Sequence, residues 1–376
     1  MDFLKESEDR QEELLKLIED LCEIPAPFRC ESGRAHFIAH WLKENGIEGA
    51  FIDKYGNVVL PYHSCDGKYI AFTSHMDTVF KETTPIPVVH EGKIAKCPGI
   101  GDDTTHVAAQ MLLARWIVRH QFKLAYPLLF VWDTGEEGLG DLRGARGLME
   151  EYAGEIKALV ALDAVYSTMI DRAVGSVRYR IRIETAGGHS FRNFGSPNAI
   201  ERAAALIERL YQQEIPQIEN AHTTLNVGTI SGGTSINTIA QDVEFLYEFR
   251  SDDAKAMEIM EHQLLELLEE AKQTCTNLSF EEIGRRPAGS VSSEIQKHLE
   301  DRWIEASTQV LPDMHIKLIP GSTDCNIPLS QGIPAMCVGV YKGGAAHTHE
   351  EWIDCSSLKA GYEILLRFAA SFIKEK

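Results

Sequence analysis

Short apolar runs that alternate with helical stretches are the feature of this 376-residue chain that most constrains its fold. The clearest runs cover residues 69–73, 127–132, 158–162 and 335–340, and helical stretches include residues 104–121 and 356–373. Strands that are buried on both faces have nearly continuous apolar sequences, and the helices between them provide the crossovers that parallel strands need. The pattern therefore predicts an α/β fold, with a mostly parallel sheet and helices on both of its faces.

The middle of the chain carries a different pattern. Residues 177–184 alternate between apolar and polar side chains, which is typical of a half-buried strand. The segments that follow are a helix over 198–213, strands over 223–230 and 240–250, a helix over 254–271 and a strand over 277–283. This βαββαβ order is that of a ferredoxin-like α+β unit. We therefore predict an inserted domain over residues 173–284, which interrupts a larger domain formed by residues 1–172 and 285–376.

Composition argues against several classes of protein. Acidic residues outnumber basic ones by 56 to 37, and the formal net charge of −19 would repel a nucleic acid. No apolar run reaches the roughly 18 residues that a membrane span needs, and the acidic N-terminus lacks the apolar core of a signal peptide. The eight cysteines are scattered without a C-x-x-C pair, which favours reduced thiols over a disulfide framework. We predict a cytoplasmic protein with neither a nucleic-acid nor a membrane partner.

Histidines and carboxylates stand directly after the predicted strands. Residues 74–79 follow the first apolar run, residues 133–138 follow the second, Asp163 follows the third, and a loop over 343–351 follows the fourth. A fifth polar segment, residues 99–103, opens a predicted helix. In open α/β sheets, ligands bind outside the carboxyl ends of the strands. We therefore expect all five segments to converge on one edge of the sheet.

A pair of divalent metal ions would explain this grouping. Taken singly, each motif has an ordinary explanation, such as a surface hydrogen bond or a helix cap. Together, two histidines and at least three acids would collect repulsive charge unless cations lay among them. Imidazole and carboxylate donors suit zinc, cobalt or manganese, and a carboxylate can bridge two ions about 3.5–4 Å apart. Glu136 and Glu137 offer one carboxylate for a metal and one for a general base, and Asp77 can orient the imidazole of His75.

Several of these segments match the motifs of one known family. Residues 74–79 are similar to an S-H-x-D-T-V motif, residues 53–59 to a D-x-x-G-N turn, and residues 187–190 to a G-x-x-H-S stretch. On these motifs, the chain resembles the co-catalytic zinc metallopeptidases of clan MH, which include peptidase T, carboxypeptidase G, the aminoacylases and acetylornithine deacetylase. The resemblance covers nearly the whole chain. It implies that the larger domain is catalytic and that the inserted one is a lid and dimerisation domain.

The resemblance also implies roles for individual residues. The implied metal ligands are His75, Asp102, Glu137, Asp163 and His347. Asp102 would bridge the two ions, Glu136 would be the general base, and Asp77 would be the carboxylate that orients His75. His189 would polarise the oxygen of the scissile carbonyl as a hydrogen-bond donor.

Substrate-binding residues follow from the same resemblance. Asn237 and Arg250 resemble residues that hold the carboxylate of the substrate, and an arginine fork suits that group geometrically. Gly321 and Ser322 belong to a loop that resembles the lining of the substrate pocket. In many relatives the histidine at the position of His189 comes from the partner subunit, so the resemblance implies a homodimer formed through the lid domain.

Three positions depart from the family pattern or leave an alternative. Asp103 stands beside Asp102 and could be the bridging ligand in its place. His349 is a rival to His347, although the family register favours His347. His106 lies where relatives usually have lysine and glycines, and we predict that it is a histidine on the helix surface.

The sequence thus predicts a dinuclear metal hydrolase that cleaves amide bonds of small peptides, in the manner of an amino- or carboxypeptidase. A bridging water activated by the metals would be the nucleophile, with zinc favoured over cobalt or manganese. The alternative is a deacylase of N-acyl amino acids, since both activities use the same predicted residues. A non-catalytic relative is disfavoured because the ligand set is complete. Binding of a nucleotide at Gly99 and Gly101 is disfavoured because two acids follow them.

Overall fold

The computed structural model of the protein describes residues 2–274 and 277–374. Its helices are α1 (Phe3–Cys22), α2 (Ser32–Glu44), α3 (His106–His120), α4 (Arg143–Tyr152), α5 (Ala199–Tyr211), α6 (Ala254–Thr274), α7 (Glu294–Val310), α8 (Asn326–Ser330) and α9 (Leu358–Ala370). Its strands are β1 (Phe51–Ile52), β2 (Val58–Tyr62), β3 (Tyr69–His75), β4 (Val89–Glu91), β5 (Ile94–Lys96), β6 (Leu128–Asp133), β7 (Ile156–Leu162), β8 (Thr168–Ala173), β9 (Gly175–Glu184), β10 (Gly188–His189), β11 (Thr223–Gly232), β12 (Thr238–Ile239), β13 (Asp242–Ser251), β14 (Asn277–Arg286), β15 (Gly289–Ser290), β16 (Lys317–Gly321), β17 (Ala335–Val338), β18 (Gly343–Gly344) and β19 (Trp352–Asp354). Within the described ranges, none of the helices is long and apolar enough to cross a membrane.

The chain divides into two compact units. The first, here called the core unit, comprises Met1–Ala173 and Ser290–Lys376, and the second, the inserted unit, comprises Val174–Gly289. The inserted unit therefore starts one residue later and ends five residues later than the inserted domain predicted from the sequence, which covers residues 173–284. The later end arises because β14 continues to Arg286 in its pairing with β9.

The core unit is built on a sheet with the strand order β1-β2-β6-β3-β7-β17-β8. The four strands β6, β3, β7 and β17 run parallel, whereas β2 is antiparallel to β6 and β8 is antiparallel to β17. These parallel strands contain the four apolar runs of the sequence. Every residue of β3 and β6 is buried, which explains why the runs are continuous. The predicted α/β class with a mostly parallel sheet is confirmed.

Helices cover both faces of this sheet. Ile70 and Phe72 of β3 belong to a core cluster that contains side chains of α1, α3 and α9. Their neighbour Ala71 belongs to a separate cluster with side chains of α4 and α8. Successive side chains of a strand point to opposite faces, so each face of the sheet packs against its own helical layer.

The inserted unit has the predicted βαββαβ order, formed by β9, α5, β11, β13, α6 and β14. Its antiparallel sheet has the strand order β11-β13-β9-β14. The alternating apolar residues of β9, such as Ile181 and Ile183, pack with Phe245 of β13 and with Leu206 and Met260 of the two helices. This period-2 alternation is what distinguishes the strands here from the continuous apolar strands of the core unit.

The carboxyl ends of the four parallel strands lie at one edge of the core sheet. His75, the last residue of β3, pairs with Asp133, the last residue of β6. Asp163 directly follows β7, and its backbone N–H donates to the carbonyl of Val338 at the end of β17 at 3.0 Å. The sheet therefore carries three of the polar segments to the same edge.

A small antiparallel sheet brings two further segments together. Its strand order is β18-β19-β5-β4. The N–H of Cys97, just after β5, donates to the carbonyl of Glu351, just before β19, at 3.1 Å. As a result, the segment that leads into Asp102 lies beside the segment that follows His347.

Candidate metal centre

Histidine and carboxylate donors from separate segments of the core unit meet in three overlapping groups. The groups are His75 with Asp102 and Asp163, His75 with Glu136 and Glu137, and Asp102 with Glu137 and His347, and within each group the donor atoms lie within 4.8 Å of one another. The fold thus brings together all five residues predicted as metal ligands, and Glu136 with them.

Asp102 lies between the two histidines. Its Oδ1 is 3.0 Å from Nε2 of His75, and its Oδ2 is 2.9 Å from Nε2 of His347. On the two sides, Oδ1 of Asp163 is 3.9 Å from Nε2 of His75, and Oε1 of Glu137 is 3.2 Å from Nε2 of His347. Each oxygen of Asp102 faces a different histidine, so this carboxylate can offer one oxygen to each of two neighbouring ions.

The adjacent Asp103 is directed into the interior. Its Oδ2 accepts the backbone N–H of His75 at 2.9 Å, and its Oδ1 is paired with Nδ1 of His106. The peptide bond between Asp102 and Asp103 is cis. Both oxygens of Asp103 have protein partners, and Asp102 is the one of the two acids that belongs to the donor groups.

His106 is buried at the start of α3, so the prediction of a helix-surface position is wrong. Its Nε2 accepts the backbone N–H of Val340 at 3.3 Å, which assigns the ring proton to Nδ1, on the side of Asp103. The ring packs edge-on against Tyr341 with centroids 5.2 Å apart. Burial lowers the pKa of His106 to about 3, which agrees with a neutral imidazole. The residue ties the start of α3 to the chain after β17.

His75 is oriented by the segment that follows it. Its Nδ1 lies 3.0 Å from the backbone carbonyl oxygen of Asp77 and 3.7 Å from Oδ1 of the same residue. The main chain of Asp77, and not its side chain, is therefore the acceptor that fixes the ring. With the proton on Nδ1, the imidazole presents the lone pair of Nε2 to the donor groups.

The Asp77 carboxylate fixes a different segment. Its Oδ1 accepts the backbone N–H of Glu136 at 3.0 Å, and its Oδ2 accepts that of Glu137 at 2.9 Å. Asp77 is fully buried. These two bonds hold the loop after β6 against the end of β3. They therefore fix the backbone positions from which the side chains of both glutamates extend.

The neighbouring charges shift the protonation of the histidines. Burial lowers the pKa of His75, but nearby carboxylates, Asp103 first among them, outweigh this effect and raise the pKa well above its usual range. The carboxylates of Asp102 and Glu137 raise the pKa of His347 to about 11. Both rings are therefore drawn toward the protonated form by an excess of negative charge, which would equally attract metal cations.

Two properties of the donor set fit a pair of divalent cations. Nε2 of His75 and Oδ1 of Asp102 are buried, and apart from the 3.0 Å contact that they make with each other, neither has a hydrogen-bond partner among the described residues. Such atoms are rare in proteins and indicate a place for a ligand. When all four are ionised, the carboxylates of Asp102, Glu136, Glu137 and Asp163 carry four negative charges, which two divalent ions would balance. The arrangement is thus a possible dinuclear metal site, with donors of the kind that zinc, cobalt and manganese accept.

A buried glutamate that the sequence did not single out holds the loop that carries Asp102. Oε1 of Glu351 accepts the backbone N–H groups of Gly101 and Asp102, and its Oε2 accepts that of Gly99, each at 2.8 Å. Burial raises the pKa of Glu351 to about 7. The only signal in the sequence is its position four residues after His347.

His349 belongs to none of the donor groups found in the described part of the chain. Its Nε2 lies 2.8 Å from Oε1 of Glu82, and its ring packs edge-on against Phe80 with centroids 5.2 Å apart. Of the two rival histidines, His347 is therefore the one that the fold directs to the carboxylates.

In the inserted unit, His189 and Asn237 lie together. His189 is in the ribbon formed by β10 and β12, and the N–H of the next residue, Ser190, donates to the carbonyl of Asn237 at 3.0 Å. Nδ1 of His189 accepts backbone N–H groups from Phe191 and Arg192 at 3.2 and 3.4 Å. The ring proton of a neutral His189 is therefore on Nε2, and the side chain is exposed.

Arg250 lies at the opposite end of β13 from that pair. Its Nε and Nη2 donate to the two carboxylate oxygens of Glu248 at 3.1 and 3.2 Å. β13 begins at Asp242, five residues after Asn237, and the eight steps from Asp242 to Arg250 span about 26 Å at about 3.3 Å per residue. The fold therefore does not bring Arg250 together with His189 and Asn237 within one inserted unit.

Gly321 and Ser322 lie where β16 leaves the sheet. Gly321 ends the parallel pairing of β16 with β8, and a Cβ at this position would lie 2.5 Å from the side chain of Ile170. Two residues further on, Asp324 is buried close to Asp133, and burial together with this second carboxyl raises the pKa of Asp133 well above its usual range. The role of Gly321 and Ser322 in substrate binding stays a prediction.

Solved structures of other proteins share this fold. The chain is similar to aminopeptidase PepT from Bacillus cereus, with 22% identity, a TM-score of 0.75 and coverage of 95% of this chain and 97% of that one. It is similar to a dipeptidase from Saccharomyces cerevisiae, with 13% identity, a TM-score of 0.77 and coverage of 99% of this chain and 98% of that one. It is also similar to a dinuclear metal-binding peptidase of the M20 family from Bacillus subtilis, with 16% identity, a TM-score of 0.65 and coverage of 97% of this chain and 99% of that one.

The sequence itself identifies the family. The pattern of Peptidase family M20/M25/M40 matches residues 71–371, which is most of the chain and includes every member of the donor groups. The predicted membership in the metallopeptidase family that includes peptidase T, carboxypeptidase G, the aminoacylases and acetylornithine deacetylase is thereby confirmed, as is the prediction of a hydrolytic enzyme. The chain belongs to Peptidase family M20/M25/M40.

Proposed function

We propose that this enzyme is a dinuclear metal-dependent peptidase that cleaves amide bonds in short peptides. The observation that carries the proposal is the position of Asp102, with one carboxylate oxygen 3.0 Å from His75 and the other 2.9 Å from His347. A carboxylate shared in this way suits two adjacent ions better than one. The names of the similar structures, an aminopeptidase and a dipeptidase among them, support short peptides as substrates.

The donor groups support one assignment of ligands. His75, Asp163 and Asp102 would hold one ion, and Asp102, Glu137 and His347 would hold the other. We propose zinc because mixed imidazole and carboxylate sets are common zinc ligands, with cobalt and manganese as chemically acceptable substitutes. When bound, the two ions would supply the positive charge that acidifies a water molecule and polarises the scissile carbonyl.

Glu136 is proposed as the general base. It belongs to a donor group with His75 and Glu137, and its main chain is held by the Asp77 carboxylate. Its carboxylate would accept a proton from the attacking water and would then deliver this proton to the amine that leaves. Glu136 would thus act on the proton, while Glu137 acts as a ligand.

His189 is proposed as the donor to the scissile carbonyl oxygen. Because Nδ1 of His189 accepts two backbone N–H groups, its Nε2–H is the hydrogen that can be donated. A donor aimed at the developing oxyanion stabilises the transition state more than the ground state.

The separation of the inserted-unit residues supports a homodimer. Arg250 and Asn237 are both proposed to hold the carboxylate of the substrate, yet about 26 Å of strand lies between Arg250 and the start of β13. A tripeptide spans only about 10 Å. Asn237 and Arg250 of one inserted unit therefore cannot both reach one short substrate. We propose that a partner subunit, joined through the inserted unit, supplies His189 and Asn237, while Arg250 acts in its own chain.

Mixing two inactive variants tests this division of labour. His189→Ala and Arg250→Ala should each lose activity alone. Mixed subunits should regain part of it, because each hybrid dimer contains one site with both residues intact. No recovery in a preparation that has demonstrably exchanged subunits would contradict the arrangement.

A panel of substrates tests the activity. The metal-loaded enzyme should hydrolyse di- and tripeptides faster than N-acetyl amino acids at equal concentration. A preference for the N-acetyl compounds would refute the peptidase proposal and leave a deacylase.

The described cysteines are free thiols, which supports our proposal that the enzyme works in the reducing cytoplasm.

A further inference from the structure

The loop that presents Asp102 is held by a side chain from a distant part of the sequence. Glu351 is 1% exposed, and its carboxylate accepts three backbone N–H groups, from Gly99, Gly101 and Asp102, each at 2.8 Å. Burying a carboxylate is costly unless donors compensate it. Glu351 satisfies this requirement with main-chain donors of one loop, so its carboxylate is committed to that loop.

This loop has little freedom to settle elsewhere. Gly99 has a left-handed φ of 74°, and a Cβ at that position would lie 2.6 Å from the side chain of Thr78. A Cβ at Gly101 would lie 2.4 Å from the hydroxyl oxygen of Tyr341. The backbone of the loop is thus closely packed against Thr78 and Tyr341. The Glu351 carboxylate supplies the acceptors for the N–H groups of this loop that point inward.

The same residue is tied to the segment that carries His347. The N–H of Glu351 donates to the carbonyl of Thr348 at 3.2 Å, and the carbonyl of Glu351 accepts the N–H of Cys97 at 3.1 Å. Glu351 therefore joins the chain just after His347 to both ends of the loop before Asp102. The distance of 2.9 Å between Oδ2 of Asp102 and Nε2 of His347 spans the two segments that Glu351 connects.

We propose that Glu351 is a positioning residue that sets Asp102 against His347 and thereby determines how tightly the metal pair is held. This inference rests on the proposed dinuclear function. Glu351 itself contacts neither metal nor substrate, and it acts through the backbone of the Asp102 loop. Loss of outer partners of this kind typically weakens metal binding about 10- to 100-fold.

Glu351→Gln tests the inference with the least change in shape. The amide oxygen can keep the bonds to Gly101 and Asp102, but the amide nitrogen would then face the N–H of Gly99. Glu351→Asp retains the charge on a side chain shorter by one methylene. The matched control is Glu350→Gln, which removes the same charge from the adjacent exposed residue.

The measurement is calorimetric titration of each chelator-treated protein with Zn²⁺, together with tripeptide hydrolysis at increasing free Zn²⁺. Wild type should bind two ions and become active. In Glu351→Gln, the Kd for Zn²⁺ should rise about 10- to 100-fold, and excess Zn²⁺ should restore turnover. Glu350→Gln should stay within about twofold of wild type in both measurements.

The outcomes separate this inference from the function on which it rests. If wild type binds no Zn²⁺, the proposed dinuclear function fails, whatever Glu351 does. If wild type binds two ions and Glu351→Gln binds them with the same affinity, only the positioning role is overturned. Loss of the fold in both Glu351→Gln and Glu351→Asp would also overturn it, because the residue would then serve general stability.

Discussion

Replacing Asp77 with asparagine should loosen both glutamates of the catalytic loop at once. The Asp77 carboxylate is fully buried and accepts the N–H groups of Glu136 at 3.0 Å and Glu137 at 2.9 Å. Asparagine has one carbonyl oxygen, so it can keep one of these bonds, while its NH₂ group must face the other N–H. The variant therefore loses one charge-assisted bond and leaves a buried donor without an acceptor.

The size of the effect follows from those two changes. A hydrogen bond to a charged group contributes roughly 1.5–3 kcal/mol, and an unsatisfied buried donor costs about 1–3 kcal/mol. Because the two terms overlap, we expect the free energy of unfolding of the metal-free protein to fall by about 2–4 kcal/mol. We expect kcat for a tripeptide to fall about 10- to 100-fold, since Glu136 and Glu137 are displaced but not removed.

Urea denaturation of the metal-free proteins and steady-state kinetics of the zinc-loaded proteins measure both quantities. Asp66→Asn, an equivalent change at an exposed position, is the control and should match wild type. A free energy of unfolding within about 0.5 kcal/mol of wild type, together with unchanged kcat, would refute the reasoning that Asp77 acts through its side-chain acceptors.

Three further predictions concern single residues of the site. Glu136→Gln should lower kcat about 10²- to 10⁴-fold while two metal ions remain bound, with Glu12→Gln as an exposed control; loss of metal would instead make Glu136 a ligand. His347→Ala should bind fewer ions by metal analysis and His349→Ala should keep both, and the reverse result would transfer the ligand role to His349. His106 has a pKa of about 3 in the folded protein against 6.5 when unfolded, so between these pH values only the unfolded chain takes up a proton at this residue. The free energy of unfolding is therefore unaffected by His106 above pH 6.5 and decreases as the pH falls toward 3. His106→Gln should therefore flatten the acid decline in the free energy of unfolding by up to about 1.4 kcal/mol per pH unit, and equal slopes would contradict a buried neutral imidazole.

The parts of the fold that sequence reasoning captures are those with a strong local signal. β3, β6, β7 and β17 are continuous apolar runs because both of their faces are buried, and the parallel arrangement follows from the helices between them. Once the strands are known, the polar residues after them must meet at one edge. This is why the sequence alone predicts that donors such as His75 and Asp163 lie together.

The remaining features depend on tertiary contacts that leave no local pattern. A helix start such as that of α3 gives no sign that His106 faces inward, because burial there depends on Val340 and Tyr341, more than 230 residues away. The choice between Asp102 and Asp103 depends on backbone torsion within the loop. Glu351 is equally hidden, since its three partners lie about 250 residues earlier in the chain.

The arrangement in the inserted unit illustrates a different limit. The sequence motifs assign Asn237 and Arg250 to the same carboxylate of the substrate. Strand geometry separates them by the length of β13, and nothing in the sequence alone measures that distance. The strand boundaries therefore add a physical reason for the homodimer that the resemblance already implies.

Metal analysis of the purified protein bears most directly on the dinuclear site. After removal of metal by a chelator and reconstitution with zinc, we predict two zinc ions per chain and peptide hydrolysis that appears only when they are restored. Full hydrolytic activity in a chain that retains no metal, or a stoichiometry that never exceeds one ion under saturating zinc, would contradict the account.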